Sequence, residues 1–271
     1  MISVGVDIGS TTTKAVVLDG DDIRAQIVVP SGNLPGRTAE ELLERAMAEA
    51  GVGREDVDVI ASTGYGRRLV DLGDIVMTEI KACALGALRA VPGGGERLHT
   101  IIDVGGQDTK VIALADDGDI EDFSMNDKCA AGTGRFLEML AGKLDMGYED
   151  FVAEALKSDT MIQMNATCAV FAESEVVGLL ARKVSKADIA AAAHNAIASR
   201  IASMTRRVGQ RGSYAFVGGG ARNAALVKSV EETLNRPVHV PEDAQTVVAL
   251  GAAIGAQRKI LRRREKDRSE T

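Results

Sequence analysis

The hydrophobic and polar positions of the chain form short apolar runs that alternate with segments of helical periodicity. Apolar runs of strand length cover 23–30 and 57–63, and polar or glycine-containing turns follow them. Apolar residues recur at helical spacing over 38–50, 78–90 and 185–208. This alternation of strand and helix patterns is typical of a layered α/β protein.

Two local signals predict the ends of the first helix, 38–50. Thr38 and Glu41 have the spacing of a capping box, in which two side chains bind backbone N–H groups at a helix start. Gly51 follows the last residue of the pattern. We expect it to end the helix, because glycine adopts the left-handed conformation at low cost.

Two other helical segments have faces that indicate packing. In 185–208, one apolar face predicts a core or subunit contact, and its residues are Ile197, Ile201, Met204 and Val208. The segment 249–257, ALGAAIGAQ, carries small residues at helical spacing. It predicts close helix packing between domains.

Two segments of the chain repeat each other at a constant offset. Residues 4–18 (VGVDIGSTTTKAVVL) and 100–114 (TIIDVGGQDTKVIAL) align without gaps, since 103 − 7 and 110 − 14 are both 96. Each copy predicts a hairpin of two strands with a glycine-rich turn after an Asp. Such a turn lets backbone and hydroxyl donors approach a phosphate, and the Asp can hold a hydrated Mg²⁺. The repeat predicts two related domains that each lend a phosphate-binding turn to a cleft.

Further glycine-rich segments predict where these domains begin and end. The segment 214–223, YAFVGGGARN, predicts a strand, a turn and a helix start against which a nucleotide can lie. The segment 92–95, PGGG, predicts a linker. We therefore predict a first domain over 1–95, with a C-terminal helix at about 246–271 that packs back on it, and a second domain over 96–245.

Composition narrows the class of function. Apolar residues make up 45% and charged residues 26%, which is ordinary for a soluble globular protein. A net charge of −7 and only 3% aromatic residues argue against a nucleic-acid surface, and the basic segment 258–268 is interpreted as a solvated helix end. The chain has no apolar run of membrane-span length, no signal peptide pattern and only three cysteines, so we expect a cytoplasmic protein without membrane contact.

Two cysteines occupy similar positions in the pattern. Cys129 in NDKCAAGTGRF and Cys168 in NATCAVFAESEV each follow a polar stretch and precede a helical pattern, where a helix N-terminus stabilises a thiolate. One apolar helix face is marked after Cys129 by Phe136, Leu137, Leu140 and Ala141, and after Cys168 by Val176, Val177 and Leu180. Buried thiols are the alternative for either cysteine alone. A four-thiolate site needs two chains, and the spacing does not distinguish zinc from an iron–sulfur cluster.

Six motifs together resemble one family. DIGSTTTK, STGYGR, DVGGQDTK, MNDKCAAGTGRFLE, ATCAVFAESEV and VGGGARN are similar to motifs of the activator (component A) proteins of 2-hydroxyacyl-CoA dehydratases, relatives of the benzoyl-CoA reductase ATPase subunits. The likeness extends from about 4 to 256. It implies an α/β fold of two ribonuclease-H-like domains of the actin/Hsp70/sugar-kinase ATPase type, with ATP in the interdomain cleft.

The resemblance also implies cofactors and partners. A homodimer would bind one [4Fe–4S] cluster through Cys129 and Cys168 of each chain. ATP and Mg²⁺ would drive transfer of one electron from ferredoxin or flavodoxin to a 2-hydroxyacyl-CoA dehydratase. In this family a Cys-His pair often follows the position of Glu79, but Ala82 and Cys83 stand there. The role of that histidine therefore does not transfer, and we expect Cys83 to be a packed thiol.

Site residues follow from the resemblance by position. Asp7 and Asp103 would lie near Mg²⁺, and Gln107 would orient the attacking water. The implied phosphate and nucleoside contacts are Ser10, Thr11, Thr12, Lys14, Gly105, Gly106, Gly219, Gly220, Ala221 and Gln245. For Lys14 and Lys110, a solvated strand position is the alternative to a role in the site.

Functions of other classes stay open at this point. A small-molecule kinase of the same fold would need a base carboxylate, for which Asp108 is a candidate, but would have no use for the paired cysteines. A non-enzymatic assembly or chaperone-type switch is the third class. Within the first class, an ATPase subunit of a benzoyl-CoA-reductase-type or double-cubane-cluster enzyme is the alternative to a dehydratase activator.

Overall fold

The computed structural model describes residues 1–91, 96–127, 133–160, 162–164 and 169–269. The chain divides into two compact units, Met1–Pro92 with Gln245–Thr271, and Gly93–Ala244. The sequence-based boundaries were 95/96 and 245/246. The predicted linker 92–95 lies outside the described residues.

The first unit begins with a hairpin-rich sheet. Its elements in chain order are β1 (Ile2–Ile8), β2 (Thr12–Asp19), β3 (Asp22–Pro30), α1 (Pro35–Ala50), a 3-10 turn (Arg54–Asp56), β4 (Val57–Thr63), β5 (Ile75–Val76) and α2 (Glu79–Ala90). The sheet order is β3-β2-β1-β4-β5. The pairs β1–β2 and β2–β3 are antiparallel, and β1–β4 and β4–β5 are parallel.

The second unit repeats this arrangement of strands and adds more helices. Its elements are β6 (Leu98–Val104), β7 (Thr109–Leu114), β8 (Ile120–Asn126), α3 (Gly134–Lys143), α4 (Tyr148–Ala155), α5 (Ala169–Ala181), α6 (Lys186–Val208), β9 (Ser213–Val217), a 3-10 turn (Gly219–Arg222) and α7 (Ala224–Leu234). The sheet order is β8-β7-β6-β9, and β6 and β9 are parallel. The last helix, α8 (Val247–Ser269), belongs to the first unit.

The sequence repeat is also a structural repeat. In the first sheet Asp7 on β1 pairs with Lys14 on β2, and in the second sheet Asp103 on β6 pairs with Lys110 on β7. In both sheets the Asp-bearing strand lies between its antiparallel hairpin partner and a parallel strand. The two hairpins therefore occupy equivalent places in the two units.

Strand β2 is buried on both faces of the first sheet, which explains its continuous apolar run. Ala15 and Val17 pack with α1, whereas Val16 and Leu18 pack with α8. Successive side chains of a strand point to opposite faces of the sheet, so neighbouring residues of β2 belong to two separate cores.

Small residues let α8 approach the rest of the first unit closely. A Cβ atom at Gly251 would lie 1.7 Å from the carbonyl oxygen of Ala82 on α2, and one at Gly86 would lie 1.9 Å from that of Val247. The prediction of close packing is therefore correct, but its placement between domains is wrong. Helices α2 and α8 pack together inside the first unit.

The predicted start of the first helix is wrong. Helix α1 begins at Pro35, and its N-cap, Leu34, makes no side-chain capping bond. Proline fixes the helical φ in the first turn, and this moves the start three residues upstream. The Thr38 hydroxyl instead donates to the carbonyl oxygen of Ser31 at 3.0 Å. Gly51 ends the helix in the left-handed conformation, as predicted.

Helix faces in the second unit test three predictions. The face of α3 with Phe136, Leu137, Leu140 and Ala141 is buried, and so are Ile197, Ile201 and Met204 of α6. Of the three apolar residues predicted to mark one face of α5, only one is buried. Val176 is buried together with Ala172 and Leu179, whereas Val177 and Leu180 are exposed. The buried face follows the i, i+4, i+7 spacing from Ala172.

Two further observations concern the third cysteine and the lengths of the helices. Cys83 is a buried thiol on α2, as expected of a packed side chain. A search of the described helices for one that is long and apolar enough to cross a bilayer finds none.

Candidate functional site

The turn between β1 and β2, residues 9–12, brings together a buried carboxylate and a lysine. The N–H of Gly9 donates to the carbonyl oxygen of Thr12 at 3.1 Å, which closes the turn. At the end of β1, Asp7 is buried, and its Oδ2 lies 2.9 Å from Nζ of Lys14. This first turn therefore has a neutralised carboxylate beneath it.

Three buried polar atoms around the first turn have no hydrogen-bond partner within the described part of the chain. They are Oδ1 of Asp7, Oγ1 of Thr11 and Oγ1 of Thr63. Burying such an atom without a partner costs about 1–3 kcal/mol, so folded proteins rarely leave one unsatisfied. Hydroxyl donors and a carboxylate oxygen fit a phosphate and a hydrated cation, which would supply the missing partners.

Ser31, just after β3, holds the first turn in place, a role that the sequence did not reveal. Its hydroxyl donates to the carbonyl oxygen of Gly9 at 2.7 Å, and its N–H donates to that of Thr11 at 2.9 Å. The Thr13 hydroxyl lies 2.9 Å from Oγ of Ser31 and donates to it, because the Ser31 proton is already used. The turn is thus fixed from a neighbouring strand.

The turn between β6 and β7, residues 105–108, carries more charge. The N–H of Gly105 donates to the carbonyl oxygen of Asp108 at 2.9 Å. Nζ of Lys110 lies 2.8 Å from Oδ2 of Asp108 and 3.6 Å from Oδ2 of Asp103. The Lys110 side chain is only 1% exposed, so the alternative of a solvated strand residue is wrong. Every residue of β7 is buried, which places this lysine in the interior.

A glycine follows the parallel neighbour of each Asp-bearing strand, with the same geometry in both units. Gly64 after β4 has φ +88° and Gly218 after β9 has φ +84°. A Cβ atom at either glycine would lie 2.4 Å from Oδ1 of the adjacent aspartate, Asp7 or Asp103. Both glycine clusters were visible in the sequence, but their equivalence was not, because STGYGR and VGGGARN share few letters.

The other predicted contact residues are distributed over both units. Ser10 and Gln107 are exposed on the first and second turns, and Thr12 is partly buried. Gly219 is exposed at the start of its 3-10 turn, whereas Gly220 and Ala221 are buried beneath it. The N–H of Gly218 donates to the carbonyl oxygen of Ala244 at 2.9 Å, and Gln245 follows directly. Their roles stay predictions.

A buried network lies behind the Gly218–Gly220 turn, centred on Asn223. Its Oδ1 accepts from the N–H of Leu226 and caps α7, and its amide nitrogen lies 3.0 Å from Nε2 of His194 and 3.0 Å from the hydroxyl oxygen of Tyr148. Nδ1 of His194 donates to the carbonyl oxygen of Ala190 at 2.7 Å, so Nε2 accepts and the ring is neutral. Burial lowers the pKa of His194 to about 4.

The start of α3 is bonded directly to the second turn. The N–H of Gly134 donates to the carbonyl oxygen of Gly105, and that of Arg135 to the carbonyl oxygen of Gly106, both at 3.0 Å. Cys129 and Cys168 lie outside the described residues. Cys129 precedes the first residue of α3 by five positions, and Cys168 immediately precedes α5.

No group of three or more His, Cys, Asp or Glu side chains is arranged to hold a metal ion among the residues described. The observation leaves the two predicted cluster ligands untested, because both cysteines lie outside the residues searched.

Comparisons with known proteins give full-length matches. A model of the BadF/BadG/BcrA/BcrD ATPase family matches residues 4–256. The 2-hydroxyisocaproyl-CoA dehydratase activator of Clostridioides difficile is 38% identical over 258 residues, 94% of this chain and 95% of the relative. The (R)-2-hydroxyglutaryl-CoA dehydratase activating ATPase of Acidaminococcus fermentans is 38% identical over 262 residues, 95% and 97% of the two chains. One of the benzoyl-CoA reductase subunits of Thauera aromatica is 27% identical over 265 residues, 93% and 92% of the two chains.

Solved structures agree with these matches. The structure of the activator of the 2-hydroxyisocaproyl-CoA dehydratase from Clostridium difficile with bound ADPNP has a TM-score of 0.88, 36% sequence identity and covers 98% of both chains. A ROK hexokinase from Thermus thermophilus matches with a TM-score of 0.54, 18% identity and coverage of 96% and 99%, and shows the fold alone. The predicted fold class is confirmed, while the position of ATP between the domains stays a prediction.

Proposed function

Because the chain belongs to the BadF/BadG/BcrA/BcrD ATPase family, we propose that it is the ATP-dependent one-electron activator of a 2-hydroxyacyl-CoA dehydratase. The resemblance stated from the motifs is confirmed by the family match and by the relatives. The prediction of an ATPase is confirmed by the same family. The electron transfer, the cluster and the partners are the proposed part.

The first turn supports binding of ATP. Its buried and unpartnered oxygens, on Asp7, Thr11 and Thr63, are the single observation that carries the proposal. We assign Thr11, with Ser10, Thr12 and Lys14, to the phosphate oxygens, and Asp7 to a water of hydrated Mg²⁺. Mg²⁺, when bound, supplies positive charge to the phosphates.

The second turn completes the assigned phosphate contacts. We assign the backbone of Gly105 and Gly106 to phosphate oxygens, Asp103 to the hydrated Mg²⁺, and Gln107 to the orientation of attacking water. Gly219, Gly220, Ala221 and Gln245 are assigned to the nucleoside. The related activator with bound ADPNP has the same fold, which supports these assignments.

The bonds between the second turn and α3 support coupling of ATP to the cysteines. Two N–H groups at the start of α3 donate to carbonyl oxygens of Gly105 and Gly106. A shift of this turn on ATP binding or hydrolysis therefore moves the beginning of α3. Because Cys129 precedes α3 by five positions, we propose that such a movement reaches it.

We propose that Cys129 and Cys168 of two identical chains bind one [4Fe–4S] cluster. The donor set fits, because both cysteines directly precede or lie close to helix starts, where thiolates are stabilised. Cys83 is buried in the core of the first unit and takes no part. When bound, the cluster would store one electron delivered by a reduced ferredoxin or flavodoxin.

The energy scale explains the need for ATP. Lowering a one-electron potential by a few hundred millivolts requires on the order of 5–10 kcal/mol. A nucleotide-driven movement can change the potential of the cluster within one turnover. Fixed charges around a cluster set its potential but cannot switch it. The acyl-CoA itself is bound by the partner enzyme, so its identity is a property of that enzyme.

The proposal is tested by anaerobic purification followed by iron and sulfide determination and a visible spectrum. We expect about four irons per dimer. Cys129→Ser and Cys168→Ser should each lose the cluster and keep ATP affinity, because neither residue belongs to a phosphate turn. Cys83→Ser is the matched control and should keep the iron.

Two results would contradict the electron-transfer role. The first is a wild-type protein that is iron-free and monomeric but hydrolyses ATP normally. The second is full iron retention in either of the two cysteine variants. A benzoyl-CoA-reductase-type ATPase subunit remains the alternative within the family, and activation assays with each partner enzyme distinguish them.

A further inference from the structure

The two phosphate turns differ at one chemically important position. Thr12 in the first turn and Asp108 in the second occupy equivalent places, since 108 − 12 is 96. Each residue closes its turn through its carbonyl oxygen, which accepts from Gly9 or Gly105 at 3.1 and 2.9 Å. The fold therefore places a hydroxyl in one turn where it places a carboxylate in the other.

The Asp108 carboxylate is held in one orientation. Its Oδ2 lies 2.8 Å from Nζ of Lys110. A Cβ atom at Gly105 would lie only 2.5 Å from its Oδ1, so this oxygen lies directly over the glycine backbone. Oδ1 makes no hydrogen bond within the described residues. The carboxylate is thus fixed by one oxygen and available at the other.

Accessibility separates Asp108 from the other charged groups of this cluster. Its side chain is 29% exposed, whereas those of Asp103 and Lys110 are 5% and 1% exposed. A ligand that approaches the second turn therefore meets Asp108, while Lys110 acts from beneath it.

The observed ion pairs also differ between the turns. Beneath the first turn Lys14 contacts the carboxylate of Asp7, whereas beneath the second turn Lys110 lies within 4 Å of two carboxylates, those of Asp103 and Asp108. The first turn offers the hydroxyl of Thr12 at this position, whereas the accessible oxygen of Asp108 in the second turn can accept a proton from a water molecule.

We propose that Asp108 is a further catalytic residue, the general base of ATP hydrolysis, with Lys110 as its positioning residue. In this step the water oxygen forms a bond to the γ-phosphorus, and the bond from that phosphorus to the β–γ bridging oxygen breaks. The electron pair leaves on ADP. Oδ1 of Asp108 accepts the water proton and later releases it to solvent. The inference rests on the proposed ATPase site and deepens it.

Asp108→Asn is the first test, because the amide keeps the size of the side chain and an oxygen for Lys110. General base catalysis contributes about 10²–10⁴-fold, so kcat should fall by about that factor. The affinity for a non-hydrolysable ATP analogue should stay within about threefold of wild type. Asp117→Asn, in the exposed β7–β8 turn, is the control and should keep wild-type kcat.

Asp108→Thr is the second test, because it copies the residue of the first turn. That turn shows that threonine is compatible with this geometry, and Lys110 keeps Asp103 as its partner. We expect the same loss of kcat with retained analogue affinity and a thermal unfolding midpoint close to wild type. This variant keeps the test decisive if the asparagine variant folds poorly.

Three results would overturn the assignment. They are a kcat within threefold of wild type in both variants, a loss of kcat that high Mg²⁺ or Mn²⁺ restores, and a loss of analogue affinity that accounts for the whole effect. A wild-type protein that neither binds nor hydrolyses ATP contradicts the proposed function itself, so the two failures are distinguishable.

Discussion

Replacing His194 by glutamine should remove a defined part of the pH dependence of stability. The His194 ring is completely buried, and its Nε2 accepts from Asn223 while Nδ1 donates to the carbonyl oxygen of Ala190. This network requires a neutral ring, because a proton on Nε2 would face the amide N–H of Asn223. Burial accordingly lowers the pKa of His194 from 6.5 to about 4.

The magnitude follows from proton linkage. Between pH 6.5 and about 4, the unfolded chain binds a proton on this histidine and the folded chain does not. The contribution of His194 to the free energy of unfolding is therefore complete above pH 6.5. As the pH decreases through this window, that contribution falls by about 3 kcal/mol in total. Below pH 4 both states are protonated and the loss stops.

Urea unfolding at several pH values between 7 and 4 measures this effect. At pH 7 the free energy of unfolding of His194→Gln should be lower than that of wild type by about 1–3 kcal/mol, because the substitution disturbs the buried hydrogen bonds. With decreasing pH, its free energy of unfolding should fall less steeply than that of wild type. The two slopes should differ by about 1.4 kcal/mol per pH unit in the middle of the window. His239→Gln, at an exposed position, should keep the wild-type slope.

Equal slopes for wild type and His194→Gln between pH 6.5 and 4.5 would refute the reasoning. Such a result would mean that the ring is protonated in the native state or that Asn223 has the opposite amide orientation. Comparing variants removes the contribution of the carboxylates, which titrate in the same range in both proteins.

The remaining predictions concern glycines at close contacts. Gly218→Ala should weaken ATP binding at least tenfold, because its φ is positive and the new Cβ would lie 2.4 Å from Oδ1 of Asp103. Gly142→Ala on α3, which meets nothing within 4 Å, is the control and should bind ATP normally in an equilibrium titration. Gly251→Ala should lower the free energy of unfolding by at least about 3 kcal/mol, since it drives α8 away from α2. Unchanged thermal stability of that variant would contradict the packing described here.

The two glycine-rich turns, 9–12 and 105–108, have different surroundings in the structure. The first is fixed by Ser31, whose hydroxyl and N–H bind the carbonyl oxygens of Gly9 and Thr11. The second is attached to the start of a helix through Gly134 and Arg135. In the proposed function, the first turn serves as a fixed binding surface, and the second transmits the state of the nucleotide to α3.

Local patterns determined much of this protein. The repeat at offset 96 predicted both hairpins, and the structure pairs Asp7 with Lys14 and Asp103 with Lys110. The register of a hairpin depends on a short turn and on residue alternation, which are local properties. The buried faces of α3 and α6 followed from helical periodicity for the same reason.

Only the tertiary structure decided which residues are buried and what they contact. Lys110 is interior because β7 is covered on both faces, and the exposure of Val177 and Leu180 depends on which side of α5 meets the core. The equivalence of Gly64 and Gly218 and the bonds from α3 to the second turn join segments that are distant or dissimilar in sequence. Such contacts depend on packing between elements, and no local pattern records them, so the sequence predicted the turns but not their surroundings.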